Sequence, residues 1–361
     1  MIGRLRLGVI GTSDWTELMY FNNLKDRDDV EIGGIAGRNR ARLAEVASKY
    51  RIPATFTDYR QLIADGGLDA VVVATPDDQH LPMTLAAIDK GLHVLCEKPL
   101  ATNAADARRM LEAAQRRGVK HMVLFTWRWQ PHYPYLKTMI ESGTFGEVYR
   151  AQFSFIMGFA RDNAYQWRLD PQRANGTLGD LGSHMIDLML WYFGDVATVS
   201  ATLGTSISRA QIAGHEAGSG NDSAHLSLGL TSGVLGVVDA TTVSHCADML
   251  VKHIVRIEAE QATLELEHIL LGEHAGTSIR LLRADEQHIR TLTVPHEYFG
   301  RSDPHNMLDI YAREPVGVLG FVAAIHENRW PQPDFAVGVK VQEVVDAALR
   351  SHRERRVVDL A

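Results

Sequence analysis

The amino-acid sequence predicts two domains of different architecture. These are a parallel, doubly wound α/β domain over residues 1–126 and an α+β domain with a mostly antiparallel sheet over residues 127–361. Three observations carry this prediction. Short apolar runs alternate with helical patterns as far as about residue 126, which is how a parallel sheet with crossover helices reads. Val71-Val72-Val73 is β-branched at consecutive positions, as in a strand buried on both faces. Beyond about residue 146 the texture changes to strands with period-two alternation and hairpin turns.

In the first domain, strands are expected at Leu5–Ile10, Val30–Ala36, Ala70–Ala74, His93–Cys96 and Met122–Phe125. Helices are expected between them at Trp15–Leu24, Asn39–Tyr50, Tyr59–Ala64, Leu81–Lys90 and Asn103–Arg117. Ligands of such sheets lie beyond the C-terminal ends of the strands. That rule selects four loops: Gly11–Trp15, Gly37–Asn39, Thr75–His80 and Glu97–Pro99.

The first loop is the expected phosphate turn, with Gly11, Thr12, Ser13 and Trp15 as cofactor-binding candidates. A GxGxxG fingerprint keeps only its first glycine here, since Ser13 and Thr16 stand at the second and third. Serine still allows close approach, whereas threonine loosens helix–strand packing. The second loop, Gly37-Arg38-Asn39 with Arg42 a turn later, carries no carboxylate for the adenosine ribose. Its arginines suit a 2′-phosphate, so NADP is favoured and NAD is the alternative. The competing reading makes Arg38 and Arg42 solvated residues that open a helix.

In the third loop, Thr75 and Pro76 can wall the nicotinamide side and His80 opens the next helix, with Asp77 and Asp78 as alternative caps. In the fourth, Glu97-Lys98-Pro99 closes a strand at the ligand edge, and proline forbids the ladder to continue. The Lys98-Pro99 bond is a candidate for the cis form, which would aim the lysine inward. An ammonium beside a positively charged nicotinamide releases its proton more readily, because two cations disfavour each other. Lys98 can then exchange a proton with a substrate oxygen; otherwise it is a surface lysine beside its glutamate.

In the second domain, strands are expected at Glu147–Phe155, Val196–Thr205, Ser223–Thr231, Val234–Thr242, Ile254–Ala259, Ala262–Leu266, Ile279–Arg283 and Ile289–Val294. Hairpin turns fall at Thr231-Ser232-Gly233 and Glu260-Gln261, and Gly214–Asn221 reads as a glycine-rich loop. Helices follow at about Val318–Glu327 and Asp334–Arg353. The segment Gly176–Asp187 stands out. If it is helical, Asp180, His184 and Asp187 share a face at spacings of four and three, on a helix otherwise dressed for burial. Gly176, Gly179 and Gly182 would let another group approach the backbone. Arg161, Asn163 and Tyr165 are candidates for a substrate cleft.

Composition excludes several function classes. A net charge of −7 with no basic block argues against nucleic acid as partner. Two distant cysteines, Cys96 and Cys246, give neither a disulfide scaffold nor a zinc ribbon. The sixteen histidines show no HExxH spacing, so no metal is expected. With no long apolar span and no leader pattern, the expectation is a soluble cytoplasmic protein without membrane contact.

Taken together, these motifs resemble the Gfo/Idh/MocA family of NAD(P)-dependent oxidoreductases, over nearly the whole chain. The resemblance rests on the fingerprint, Ala74-Thr75-Pro76 with His80, Glu97-Lys98-Pro99 and Trp127-Arg128-Trp129-Gln130-Pro131. It continues through Trp167-Arg168-Leu169-Asp170-Pro171, Gly176–Asp187 and the terminal Gly338–Ser351 helix. It implies a dinucleotide (Rossmann) domain, a second domain whose outer sheet face makes a homodimer or homotetramer, and a sugar or polyol substrate bound between the domains. It implies catalytic roles for Lys98, Asp180 and His184 and cofactor contacts from Trp167 and Arg168; Glu97 is a further cofactor-binding candidate, and Arg128 and Tyr165 are substrate-binding candidates. His184 would be the general base, imidazole titrating near neutrality, with Lys98 stabilising the charge on the reacting oxygen. Asp180 would orient the substrate or His184, or else cap the helix. Asp187 would be structural. Asp77 departs from the asparagine common in the family and puts an anion near the nicotinamide. Two other readings remain: a glycosidase-type enzyme that uses the cofactor without net redox change, and a non-catalytic NAD(P) sensor.

Overall fold

The computed structural model describes residues 3–209 and 220–360, which fold as two compact units. The first begins with six parallel strands: β1 (Leu5–Ile10), β2 (Val30–Ala36), β3 (Thr55–Phe56), β4 (Ala70–Val73), β5 (His93–Cys96) and β6 (His121–Val123). Their order is β3-β2-β1-β4-β5-β6. The winding reverses between β1 and β4, and the crevice at that switch point is where such sheets bind ligands. β4 is fully buried along its length, as its β-branched run predicts. β3 was not expected; two residues are too short to show a period.

The helices start where short polar side chains cap them. Asn39 accepts from Arg42 N before α3 (Arg40–Tyr50), Asp58 caps α4 (Tyr59–Asp65), and Asn103 caps α6 (Ala104–Arg117). α5 (His80–Asp89) follows a short turn at Asp77–Gln79. The expected single helix Trp15–Leu24 is more complex: α1 (Asp14–Thr16) and α2 (Asn22–Leu24) flank a π-helical turn, Glu17–Phe21.

The second unit opens with α7 (His132–Glu141), a helix that Pro131 and Pro134 disguise. Pro134 lies in the first turn, where a helix needs no N–H. Nine strands form one sheet, whose first eight are β7 (Val148–Ile156), β8 (Val196–Gly204), β9 (Ser223–Leu230), β10 (Leu235–Thr241), β11 (Lys252–Ala259), β12 (Ala262–Ile269), β13 (Gly276–Arg283) and β14 (Arg290–Leu292). The order is β14-β13-β12-β11-β7-β10-β9-β8-β15, and β7 with β10 is its one parallel pair. Buried and open positions alternate along β9 to β12, so one face is covered. α8 (Ser183–Phe193) packs there over β7 and β10. Both expected hairpin turns form, with Gly233 at φ 90°. Of the glycine-rich loop, residues 214–219 lie outside the described residues.

The chain then returns to the first unit. α9 (Ile310–Arg313) and α10 (Gly317–His326) place Ile310, Tyr311, Val318, Phe321 and Ile325 in the same apolar cluster as Leu5, Tyr20, Phe21 and Leu24. α10 is apolar nearly all round and therefore needs cover on every side. A single boundary at residue 126 does not hold. The first unit comprises residues 1–129 and 300–339, the second 130–299 and 340–361. α11 (Phe335–Glu354) starts in one and ends in the other, and β15 (Val358–Asp359) pairs with β8. Among the described residues no helix is long and apolar enough to cross a membrane.

Candidate active site

At the end of β1, Gly11 has φ 135°, and a Cβ there would stand 2.1 Å from the Ala74 carbonyl oxygen. Only glycine fits. At the end of β2, a Cβ on Gly37 would meet Thr12 at 2.8 Å, so the two loops close on each other through missing side chains. Ser13 Oγ accepts from Thr16 N at 3.2 Å and shares a 2.9 Å hydrogen bond with Thr16 Oγ1. The two altered fingerprint positions thus form a helix cap. This glycine-tight turn at the switch point fits a dinucleotide.

Lys98 sits just beyond β5, and the carboxylate before it is held from three sides. Trp15 Nε1 donates to Glu97 Oε1 at 2.6 Å, Tyr20 Oη donates to the same oxygen at 2.7 Å, and Lys98 N donates to Oε2 at 3.3 Å. Burial and then the Glu97 carboxylate push the Tyr20 phenol well above its usual value. Tyr20 escapes a sequence reading because it lies five residues from Trp15. A π turn adds a residue to one helical revolution, and both side chains then reach one oxygen. Trp15 and Glu97, expected at the cofactor, are bonded to each other. The Lys98-Pro99 bond is cis.

His80 is fully buried, with Nδ1 2.8 Å from the Pro99 carbonyl and Nε2 2.9 Å from the Thr75 carbonyl. Both ring nitrogens are engaged inside the protein, which leaves neither for a cofactor. Asp77 is buried beside it in sequence, while Thr75, Pro76 and Arg128 are partly exposed.

Arg42 is also spent. Its Nε donates to the Thr12 carbonyl at 3.0 Å, and its guanidinium pairs with Asp14 (2.7 Å), Glu45 (2.8 Å) and Glu17. Burial opposes a charge on Glu17, but the Lys49 and Tyr50 hydrogen bonds and the Arg42 charge hold its carboxyl below the usual range. Arg42 therefore braces the phosphate turn with three anions around it, a poor setting for a 2′-phosphate. Arg38 is exposed and pairs with no carboxylate among the described residues.

In the second unit, the expected regular helix over Gly176–Asp187 is replaced by a π-helical turn, Leu178–Gly182, running into α8. Asp180 lies in that turn, and His184 and Asp187 lie on α8 beyond it. Arg168 Nε is 3.4 Å from Asp180 Oδ2, and the Arg168 guanidinium lies 4.4 Å from the Trp167 ring centre. Trp167, Arg168 and Asp180 are thus one cluster. Tyr165 Oη donates to Asp170 Oδ2 at 2.9 Å, and Arg161 to the Val243 carbonyl. His184 and Asp187 are buried on α8, with the Phe155 ring 6.0 Å from the imidazole.

The three glycines do not make room for a ligand. A Cβ on Gly176 would strike Asn221 at 2.6 Å, one on Gly179 would meet Asn175 at 2.8 Å, and one on Gly182 Leu178 at 3.2 Å. Asn221 is the residue that sequence reasoning missed: it accepts from Thr177 N and Leu178 N and donates to the Asn175 carbonyl, each at 2.9 Å. Nothing in a glycine-rich loop signals that role. Among the described residues, no group of three or more metal-ligating side chains converges.

Residues 5–125 match the family model described as the Gfo/Idh/MocA oxidoreductase family, NAD-binding Rossmann fold. Residues 133–265 match the Gfo/Idh/MocA C-terminal domain. Levoglucosan dehydrogenase of Pseudarthrobacter phenanthrenivorans is 26% identical over 348 residues, which cover 90% of this chain and 88% of that protein. D-apiose dehydrogenase of Paraburkholderia graminis is 27% identical, covering 93% and 84%. Among solved structures, levoglucosan dehydrogenase in complex with NADH and L-sorbose has a TM-score of 0.87 at 23% identity, covering 100% of both chains. An NAD binding oxidoreductase from Klebsiella pneumoniae has a TM-score of 0.83 at 26% identity, covering 99% and 100%.

Proposed function

The chain belongs to the Gfo/Idh/MocA oxidoreductase family, and from that premise we propose that it moves a hydride between a nicotinamide dinucleotide and a hydroxyl-bearing carbon of a sugar or polyol. The dinucleotide, when bound, supplies the hydride acceptor or donor. Lys98 hydrogen-bonds the reacting oxygen and stabilises its negative charge, and His184 takes the hydroxyl proton. Asp180, charge-paired with Arg168, orients the substrate. The observation that carries this reading is the Glu97 mount: the buried Tyr20 hydroxyl and the Trp15 indole on one oxygen and the Lys98 amide on the other. Such bracing suits a side chain that must meet a reacting atom. Relatives named as dehydrogenases of levoglucosan and D-apiose favour the substrate class.

Cofactor choice follows from the charges. With Arg42 occupied, a preference for NADP rests on Arg38 alone. The homodimer or homotetramer belongs to the same reading, supported by large apolar side chains left exposed on the sheet, such as Tyr149 and Leu235. A reducing cytoplasm suits Cys96 and Cys246, both buried thiols. The test is turnover on a sugar and polyol panel, followed by nicotinamide absorbance, with denaturation of the purified protein to identify any nucleotide carried. Lys98→Ala and His184→Ala should each cost roughly 10²–10⁴-fold. If both leave turnover unchanged on a substrate that the wild type oxidises, the assignment is wrong. Sugar release without net absorbance change would instead indicate non-redox use of the cofactor.

A further inference from the structure

We propose that His80 is a positioning residue protonated at neutral pH, a buried imidazolium whose two N–H groups strap the loop after β4 to the Lys98-Pro99 segment after β5. A carbonyl oxygen only accepts hydrogen bonds. The two partners of His80 are both carbonyl oxygens, Pro99 O at 2.8 Å from Nδ1 and Thr75 O at 2.9 Å from Nε2. A neutral imidazole carries one N–H and one lone pair, so either tautomer would turn a lone pair on a carbonyl at under 3 Å. With the ring fully buried, no solvent relieves that clash. The doubly protonated ring satisfies both contacts at once.

A buried cation needs compensation. Here it comes from the two carbonyl dipoles. Burial pulls the imidazolium towards neutrality, but the Cys96 sulfur and the two carbonyls outweigh it and raise its pKa to about 9. The other titratable groups near the strap are Glu97 and Lys98 after β5 and Asp77 and Asp78 in the turn before α5. Pro99 directly follows Lys98, so the strap fixes the peptide that carries the lysine.

This inference rests on the catalytic reading of Lys98, but its first test does not. Long-range proton–nitrogen spectra of the full-length protein, labelled at histidine nitrogen and free of cofactor, report each ring's protonation. The expected result is one histidine with both nitrogens protonated at pH 7 and pH 8, absent from His80→Gln. Finding His80 as a neutral tautomer at pH 7 overturns the proposal, whatever the variant does. In kinetics, His80→Gln keeps one donor and loses the charge. Its kcat should fall about 10-fold, with KM within about 3-fold of wild type. A loss carried by KM with kcat unchanged would mean a merely structural role and would also overturn it. If Lys98→Ala leaves turnover intact, the catalytic reading falls while the spectra still decide the charge on His80.

Discussion

Glu97 shows how much a single carboxylate can carry. Its buried oxygens accept from Trp15, Tyr20 and the Lys98 backbone, so truncation strands the fully buried Tyr20 hydroxyl. We expect Glu97→Ala to lower the unfolding free energy by about 3 kcal/mol, read from denaturant melts, and Glu97→Gln to cost distinctly less because one acceptor oxygen survives. A loss below about 1 kcal/mol for the alanine variant would contradict the bonding described. Gly11 makes a sharper case. Gly11→Ala drives a methyl against the Ala74 carbonyl at a φ that alanine avoids, so both stability and dinucleotide affinity should drop; an alanine variant that binds NAD(P) like wild type would refute this. Lys98 and Glu97 are legible in sequence because a strand end, a charge pair and a proline coincide there. Tyr20 is not, because its partnership with Trp15 depends on a helical turn wider than any period a reader would apply.

Helical turns of that kind recur on the two elements that matter most, at Glu17–Phe21 and at Leu178–Gly182. π turns concentrate at functional sites because they re-aim side chains without breaking the helix. Asp180 lies in the second of these turns, and His184 and Asp187 lie on the helix that continues it. The strands, by contrast, were readable nearly to the residue for β1, β2 and β5, whose apolar runs are bounded by glycine or charge. The arginines after β2 separate in function. Arg42→Ala should weaken NAD and NADP binding alike through the Thr12 turn, leaving their ratio within about 3-fold, since the guanidinium already faces three carboxylates. Arg38→Ala should lower NADP affinity about 10-fold relative to NAD if the protein uses the phosphate. Fluorescence titration with both cofactors distinguishes the two, and a tenfold ratio change in Arg42→Ala would return that residue to the phosphate.

At the scale of the whole molecule, three fully buried histidines set a response to acid. The rings of His132 and His268 meet at a tilt with centres 4.3 Å apart, His253 lies 5.9 Å from His268, and Tyr133 Oη shares a 2.6 Å hydrogen bond with His253. Burial lowers all three, and each imidazolium would further disfavour its neighbours; His268 falls to about 4. The unfolded chain binds these protons near pH 6.5 and the folded one does not. Stability is therefore full above that pH and is lost as pH falls towards 4, by roughly 3 kcal/mol from His268 alone. Melts at pH 7 and pH 5 should show it. His132→Phe should shrink the difference, because neither ring nitrogen of His132 has a hydrogen-bond partner to lose. A pH-independent Tm across that window would contradict the neutral cluster. Sixteen histidines in a sequence do not reveal which three are buried together, because β11, β12 and α7 bring them into contact from distant positions. The two-domain division was legible, but the return of residues 300–339 was not, since an apolar helix does not announce which core it covers.

That return has a consequence for synthesis. The apolar face made by Tyr20, Phe21 and Leu24 is completed by Tyr311, Phe321 and Ile325, on a stretch that begins about 170 residues after the first one ends. At ordinary elongation rates of about 5–20 residues per second, the nascent dinucleotide unit waits roughly 10–30 s with that face uncovered. A fragment ending at residue 129 should accordingly be expressed as an aggregate or a chaperone client, and adding residues 300–339 through a flexible linker should restore its solubility.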